Sequence, residues 1–412
     1  GDPMKRRMRR FLSLCLACIL LGACAAEEGE VLDPRFDTEE YLPQYDMQNE
    51  FSTWNPLCET EEQIFVVFPA LSPFIRYYDK ETQTSGILCG RPECTHQDAS
   101  CNAYTMGTGG LCLYEDRLWF IGQDTQSGEM GLYALSLDGT EREKVQAIEY
   151  AGGANTIVRL HRDFLYIGNI VSSVAEGSAS YTLSISRQKL GQEASEPQII
   201  YEKTSSMTPN FRYILEANRM FLYCQTDSEE GRNIELYQYD LKTGEGSVLY
   251  EGASASFWAY GMNYVEEKVY VLEGTDADMT TTPEVYSSRI LRYDLTTQTM
   301  EILPEQGHSF LYGQFEMGTQ GIYSRLEYSH ENGILSLQLQ DIAGDILREE
   351  EIPVTNDTRT YRSWGCYGVT EDCALYWLEW DNLTGTSRMG AGLLRVPLQP
   401  EEEAQWLLEV NL

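Results

Sequence analysis

Three cysteines and one histidine lie close together in the sequence, with the spacing Cys89-x4-Cys94-x-His96-x4-Cys101. Three thiolates and one imidazole would complete the tetrahedral ligand set of a structural zinc ion, leaving no open position for a catalytic water. The spacing matches no common zinc module in detail, and a location outside the cytoplasm favours oxidation of thiols. The sequence therefore favours a loop stapled by disulfides among Cys89, Cys94 and Cys101, with structural zinc as the alternative.

A second pair of cysteines, Cys366 and Cys373, flanks a short polar segment typical of a turn between two strands. Because two such residues can face each other across a hairpin, this pair is the most specific disulfide prediction. The complete pairing of the eight cysteines from Cys58 onward cannot be chosen from sequence.

Catalytic signatures are scarce in this chain. It contains no Gly-x-Ser-x-Gly, no His-Glu-x-x-His and no Gly-x4-Gly-Lys-Ser/Thr motif, and only four histidines. These motifs are typical of serine hydrolases, zinc proteases and phosphate-binding loops. We therefore expect a non-enzymatic protein without a cofactor. A carbohydrate-active enzyme is the alternative, but 64 acidic residues leave no basis for choosing a catalytic pair.

A repeat in the sequence predicts the secondary structure that positions these residues. An aliphatic residue followed by an aromatic one recurs seven times after a short polar turn, at intervals of 47 to 55 residues. Each repeat contains four short alternating runs with aromatic enrichment, the pattern of β-strands. The seven pairs are Ile64-Phe65, Leu118-Trp119, Leu165-Tyr166, Met220-Phe221, Val269-Tyr270, Ile322-Tyr323 and Leu375-Tyr376.

Four strands in about 50 residues is the size of one propeller blade. The sequence predicts an all-β, seven-bladed β-propeller over residues 51–412, with four antiparallel strands per blade and with six or eight blades as alternatives. Residues 50–60 are expected to pair with the last blade and so close the ring.

Two segments resemble blades of YWTD-type and TolB-like propellers: Leu375–Asp381, which reads LYWLEWD, and Leu236–Gly244, which reads LYQYDLKTG. The cysteine-containing segment Leu88–Ala103 resembles an insert of uncharacterised lipoproteins of Gram-positive anaerobes that carry such propellers. The resemblance implies the fold and brings no known reaction with it, because one fold hosts many functions.

One face of such a propeller collects the loops that enter the innermost strands and those that join the second and third strands. Aromatic rings beside guanidinium groups suit sugars, peptides or a protein surface. For Trp258 and Trp364, a place in the core between blades is the other interpretation. The residues expected on this face are Trp54, Arg212, Phe257, Trp258, His308, Phe310, Arg362, Trp364, Trp380 and Asp381.

The amino-terminal segment predicts a cellular address. A basic stretch, Lys5–Arg10, precedes the apolar run Phe11–Leu21, which is shorter than the ~20 residues that span a bilayer. Leu21-Gly22-Ala23-Cys24 then resembles the bacterial lipobox, and the family rule implies cleavage before Cys24 and its acylation, with chains such as palmitate. A plain secretory signal is the alternative.

The predicted organisation is a signal peptide over 1–23, an acidic tether over 24–50 and the propeller. Gly1-Asp2-Pro3 precedes Met4 and is interpreted as an N-terminal scar. A formal net charge of −34 disfavours nucleic acid as a partner.

We therefore expect a lipid-anchored protein on the extracytoplasmic face of the cell membrane that binds a protein, peptide or glycan. A surface lyase or glycosidase and an envelope assembly scaffold are the alternatives.

Overall fold

The structure, a computed structural model, describes the chain from Thr38 to Asn411 in sixteen segments. Two compact units, residues 1–39 and 40–412, divide the chain, and the strands all lie in the second. The predicted signal peptide, Cys24 and the tether up to residue 37 lie outside the described residues. The segments are 38–42, 45–46, 50–51, 56–68, 71–105, 110–124, 127–148, 156–175, 178–192, 196–228, 231–254, 257–274, 288–303, 317–318, 321–329 and 331–411.

Seven antiparallel sheets follow one another along the chain, and each is built from consecutive strands. Blade 1 contains β1 (Leu57–Glu59), β2 (Gln63–Phe68), β3 (Ser72–Asp79) and β4 (Thr84–Ile87). Blade 2 contains β5 (Cys112–Tyr114), β6 (Arg117–Gln123), β7 (Met130–Ser136) and β8 (Arg142–Ala147). Blade 3 contains β9 (Thr156–His161), β10 (Phe164–Ala175), β11 (Ser178–Lys189) and β12 (Gln198–Ser205).

The remaining blades follow the same order. Blade 4 contains β13 (Asn210–Glu216), β14 (Arg219–Ser228), β15 (Gly231–Asp240) and β16 (Gly246–Ser254). Blade 5 contains β17 (Trp258–Val265), β18 (Lys268–Gly274), β19 (Ser288–Asp294) and β20 (Thr299–Ile302). Blade 6 has three strands among the described residues, β21 (Tyr323–Ser329), β22 (Ile334–Gln340) and β23 (Ile346–Pro353). Blade 7 contains β24 (Arg359–Val369), β25 (Cys373–Asn382), β26 (Met389–Pro397) and β27 (Gln405–Asn411).

The repeated aliphatic-aromatic pairs explain this regularity, because six of the seven lie in a central strand of their blade, and the aromatic residue of the other, Tyr323, begins β21 of blade 6. In blades 2 and 3 a two-residue turn precedes that strand, and both of its residues have positive φ, as at Glu115 (49°) and Asp116 (56°) or Arg162 (45°) and Asp163 (65°). This is the conformation of the tight hairpin turns that match strand twist. The prediction of an all-β, seven-bladed propeller is confirmed.

Side-chain packing closes the ring of blades. Mixed clusters of buried aliphatic and aromatic residues join blade 1 to blade 2, blade 2 to 3, blade 4 to 5, blade 5 to 6 and blade 6 to 7. Blades 3 and 4 are joined through Tyr213, whose hydroxyl donates to the carbonyls of Ile157 and Tyr166. Blade 7 packs on blade 1 through residues that include Leu375, Leu393 and Val66.

The expected pairing of residues 50–60 with the last blade is wrong. Residues 57–59 form β1 of blade 1, and blade 7 takes its own outer strand from β27. Glu50 forms a β-bridge with Arg159 of β9 instead, and the Phe51 amide donates to the Val158 carbonyl at 2.9 Å. Residues 50 and 51 therefore pair with β9, the edge strand of its sheet, and among the described residues blade 7 meets blade 1 through side-chain packing.

The described residues form strands and turns, and they include no helix long and apolar enough to cross a membrane.

Candidate functional site

The two ends of the propeller differ in what the chain builds there. Segments leading into the first strands, together with connections between second and third strands, form one end, which we name the loop end. Tight turns such as Glu115-Asp116 and Arg162-Asp163 form the opposite end, which we name the turn end. Among the predicted binding residues that the structure describes, Phe257 immediately precedes β17 and Trp258 begins it, so both lie at the loop end.

At the loop end of blades 4 and 5, an arginine lies against a tryptophan. Trp258 begins β17, and the guanidinium of Arg232, from the start of β15, lies 3.5 Å from the centre of its ring. Asp227 on the adjacent strand accepts from Arg232 Nε at 2.6 Å. Arg232 Nη1 also donates to the Phe257 carbonyl at 2.7 Å. The carboxylate and the carbonyl fix the guanidinium, which in turn fixes the indole.

A second arginine and aromatic lie beside the first. The guanidinium of Arg289 at the start of β19 lies 4.2 Å from the centre of the Phe257 ring. Glu273 of β18 is fully buried and accepts from Arg289 Nε at 2.7 Å. Its other oxygen accepts from the Tyr223 hydroxyl at 2.5 Å and from Gln225 Nε2 at 2.8 Å.

We call Asp227, Arg232, Phe257, Trp258, Glu273 and Arg289 the arginine–aromatic cluster. Phe257 and Trp258 are only half-buried, although their arginines and carboxylates are largely buried. A desolvated ion pair behind a partly exposed ring holds that ring in one orientation. Such an arrangement can stack on a sugar, a peptide side chain or an aromatic group of a partner.

One predicted residue, Arg212, contacts the strand that begins with Trp258. Arg212 of β13 donates from Nε to the Tyr260 carbonyl at 3.1 Å, which ties the first strands of blades 4 and 5 together two residues from Trp258. Trp54, His308 and Phe310 lie outside the described residues.

The predicted residues of blade 7 are separate from the cluster. Trp380 is 2% exposed and packs in the core between blades 6 and 7, so its indole stabilises that seam instead of facing a ligand. Trp364 packs against the same core, with its ring 5.7 Å from that of Tyr328. Arg362 and Asp381 form an exposed ion pair at 3.1 Å.

Sequence reasoning missed Asp227, Arg232, Glu273 and Arg289. They lie near the ends of strands β14, β15, β18 and β19, where a charged residue is common and carries no motif. The only available signal was their position on each side of the connections between second and third strands.

The structure does not place Cys366 and Cys373 opposite each other in the β24–β25 hairpin. Cys366 lies opposite Tyr376 in the β24–β25 ladder, three residues along β25 from Cys373. The residue that faces Cys373 is Thr370, whose amide donates to the Cys373 carbonyl at 2.8 Å. The irregular register of this hairpin separates the two thiols, and they form no disulfide in this structure.

The loop predicted to be stapled by disulfides contains no disulfide in this structure either. The structure describes all eight cysteines from Cys58 to Cys373, and none of them forms a disulfide there. The sulfur atoms of Cys89, Cys94 and Cys101 and a ring nitrogen of His96 instead converge, with all four ligand atoms within 4.8 Å of one another. Convergence of four donors is the geometry of the metal alternative.

At the turn end, the chain covers its own charges. Asp46 is fully buried, and its two oxygens accept from Arg162 Nε at 2.5 Å and Nη2 at 2.7 Å. Arg162 also donates to the Asn218 side chain at 2.8 Å and to the Glu40 carbonyl at 2.8 Å. Burial, followed by the nearby charge of Asp46, raises the pKa of Glu216 to about 7. The last residues of the predicted tether therefore pack on the propeller.

One further carboxylate is buried without an arginine in contact. Glu379 of β25 is 5% exposed, and its Oε1 has no hydrogen-bond partner among the described residues. Burial raises the pKa of Glu379 to about 7, which the charge of Arg362 opposes. A raised carboxyl pKa is a feature of many catalytic acids, but this residue is almost closed to solvent.

Comparison with known proteins bears on the fold alone. A prolyl endopeptidase structure has a TM-score of 0.51 at 15% identity, covering 98% of this chain and 55% of that chain. The chain thus spans about half of the endopeptidase's length. An oligogalacturonate lyase in complex with manganese has a TM-score of 0.43 at 12% identity, covering 76% and 78% of the two chains. TolB from Acinetobacter baumannii has a TM-score of 0.31 at 15% identity, covering 85% and 81%.

No protein-family model and no curated protein matches the sequence. The neighbouring propellers belong to proteins of different activities, and identities this low carry no activity over to this chain.

Proposed function

We propose that this protein is a lipid-anchored, non-enzymatic binding propeller, and that the arginine–aromatic cluster at the loop end contacts a protein, peptide or glycan. One observation carries the proposal: Phe257 and Trp258 are half-buried aromatic residues locked by arginines that are themselves paired with buried carboxylates. Preorganised aromatic and arginine anchors are the residues that dominate binding energies at interfaces.

The cluster favours binding over catalysis because its acids are already engaged. Asp227 is held by Arg232 and Glu273 by Arg289, at N–O distances of 2.6 and 2.7 Å. Glycoside cleavage needs a carboxyl group that can exchange a proton and another that faces the sugar. Carboxylates clamped behind aromatic rings instead set the position of those rings.

A lipid anchor would limit how far the propeller can lie from the membrane. The chain enters the 40–412 unit at Glu40, whose carbonyl accepts from Arg162 at the turn end. The 16 residues from Cys24 to Glu40 can span at most about 55 Å when fully extended. An acylated Cys24 would keep the propeller within this distance of the membrane surface.

Two experiments test this proposal. A glycan array and an envelope-extract pull-down, each with the wild type and Trp258→Ala, should show binding that the substitution weakens at least tenfold. The matched control is Trp406→Ala, because Trp406 of β27 is also half-buried and has Arg359 5.9 Å from its ring centre. Hydrolysis or lyase activity on polysaccharide panels, with no binding in either assay, would replace the proposal by the enzyme alternative.

The anchor is tested separately by detergent partitioning. The precursor carrying Cys24→Ser should move from the detergent phase to the aqueous phase and lose incorporation of labelled fatty acid. Equal partitioning of both proteins would refute lipidation at Cys24 without affecting the binding proposal.

A further inference from the structure

The loop from Leu88 to Asn102 interrupts the outer strand of blade 1. β4 runs beside β3 as far as Ile87, and the Leu88 amide donates to the Ile75 carbonyl at 2.9 Å. The Ile75 amide then donates to the Ala103 carbonyl at 2.8 Å, and the Thr105 amide donates to the Pro73 carbonyl at 2.7 Å. Residues 103–105 thus continue along the same edge of β3. The loop leaves this edge after Leu88 and returns to it at Ala103, so both ends of this excursion are held by β3.

Within this excursion the chain brings four donor atoms to one point. Cys89, Cys94 and His96 are half-buried and Cys101 is buried, with their ligand atoms within 4.8 Å of one another. His96 Nδ1 lies 3.4 Å from Cys101 Sγ. Ligands at 2.3 and 2.0 Å from a tetrahedral zinc ion are themselves about 3.5–3.8 Å apart, so a contraction of about 1 Å in the widest pair completes the site.

The backbone at His96 supports a built site. Its φ is 54°, in the left-handed region that residues other than glycine rarely adopt. Non-glycine residues in that region persist where the surroundings over-determine them. Here the conformation directs the imidazole towards the thiols.

Blade 2 supports the loop from outside. The Gly90 amide donates to the Gly139 carbonyl at 3.1 Å, and Asn102 Nδ2 donates to the carbonyls of Gly139 and Thr140 at 2.9 Å each. A Cβ on Gly139 would lie 2.7 Å from the Leu88 carbonyl oxygen, and its φ is +72°. Arg142 Nη1 donates to the Cys101 carbonyl at 3.2 Å. The four donors therefore rest on a rigid turn of the neighbouring blade.

We propose that Cys89, Cys94, His96 and Cys101 bind one zinc ion, which fixes the excursion of blade 1 against the β7–β8 turn of blade 2. A disulfide would use two of the three sulfurs and leave the third thiol and the imidazole without a role, whereas zinc uses all four groups. Because four protein ligands fill the tetrahedron, the ion is structural and leaves no position for a reacting water. Three thiolates among the ligands select zinc over the hard cations magnesium and calcium.

The first test measures metal directly. The full-length protein, purified without chelator or added reductant from cells grown with zinc, should contain one zinc per chain by mass spectrometry. Cys94→Ser should reduce this to near zero, and His96→Ala should weaken zinc binding at least tenfold. Cys373→Ser is the control because Cys373 is another free thiol, 3.4 Å from Thr370 Oγ1, where serine can make the same contact. It should keep one zinc.

A second measurement does not depend on the variants folding. Replacement of zinc by Co²⁺ in the wild type should give the visible absorption of tetrahedral cobalt together with thiolate-to-cobalt charge transfer. Chelation should lower the thermal midpoint of the wild type and leave that of Cys94→Ser unchanged, since metal binding is coupled to folding.

Three results would overturn the proposal: a disulfide among Cys89, Cys94 and Cys101 in freshly isolated protein, a wild type that takes up no zinc or cobalt with its thiols reduced, or full zinc content in Cys94→Ser. None of these outcomes bears on binding by the arginine–aromatic cluster.

Discussion

The turn end and the loop end both pair buried carboxylates with arginines, but they leave different groups exposed. At the turn end, Asp46 and Arg162 are 0% and 4% exposed, and Arg162 also donates to the Glu40 carbonyl. At the loop end, Asp227 and Arg232 are 21% and 10% exposed, and a half-buried tryptophan lies on the arginine. The same ion-pair chemistry thus stabilises the chain against itself at one end and presents an aromatic surface at the other.

The largest effect is expected from removing the carboxylate at the turn end. Asp46→Ala leaves the Arg162 guanidinium buried without its counter-charge, which typically destabilises a fold by about 3–5 kcal/mol. Asp227→Ala at the loop end should cost less, about 1–2 kcal/mol, because Asp227 is 21% exposed and Arg232 keeps the Phe257 carbonyl as a hydrogen-bond partner. Chemical denaturation of both variants measures the difference, and equal losses would remove the distinction between the two ends.

Glu379 is a buried carboxyl group without a salt bridge among the described residues. Replacing it should stabilise the fold, whereas replacing Asp46 should destabilise it. The pKa of Glu379 is raised by burial to about 7, so the folded state holds its proton more tightly than the unfolded state between pH 4.5 and 7. Stability therefore falls as pH rises through this window, and Glu379→Gln removes the loss. The variant should be more stable than the wild type by about 2 kcal/mol at pH 8 and equal to it at pH 4.

Asp381→Asn, two residues away on the exposed face, is the matched control. It should change stability by less than about 0.5 kcal/mol at either pH. A stabilisation by Glu379→Gln that did not vary with pH would show that ionisation of this carboxyl is not the cause.

The smallest effect on folding should come from Trp258→Ala. Its indole is half-buried and lies outside the main core clusters, so we expect a loss of about 1 kcal/mol or less. Trp380→Ala, in the core between blades 6 and 7, should cost about 3–5 kcal/mol. Thermal unfolding of the two tryptophan variants tests whether the partly exposed tryptophan at the loop end contributes less to stability than the buried one. If it does, Trp258 can serve binding without being required for folding.

The repeat made the fold predictable, because the seven aliphatic-aromatic pairs repeat the same local pattern and each blade is formed by consecutive residues. The way in which the ring closes was predicted incorrectly. Leu375 and Leu393 pack on Val66, and the sequence pattern of such packing does not differ from that of a strand shared between the first and last blades. The donor group from Cys89 to Cys101 was visible because its members are local in sequence.

Only part of the arginine–aromatic cluster could be predicted from the sequence. Phe257 and Trp258 could be assigned to the loop end from strand order. Arg232 comes from blade 4 and Arg289 from another strand of blade 5, so they meet the aromatic rings only in three dimensions. The relative positions of Cys366 and Cys373 could not be predicted for a similar reason, because an irregular register in the hairpin cannot be read from spacing.

Affinity measured for wild type, Trp258→Ala and Trp406→Ala against the same glycan or envelope protein captured by the wild type tests the central claim most directly. The account predicts that Trp258→Ala loses at least tenfold in affinity, about 1.4 kcal/mol, while Trp406→Ala binds as the wild type does. Equal affinity of all three proteins would contradict a binding role for the loop end.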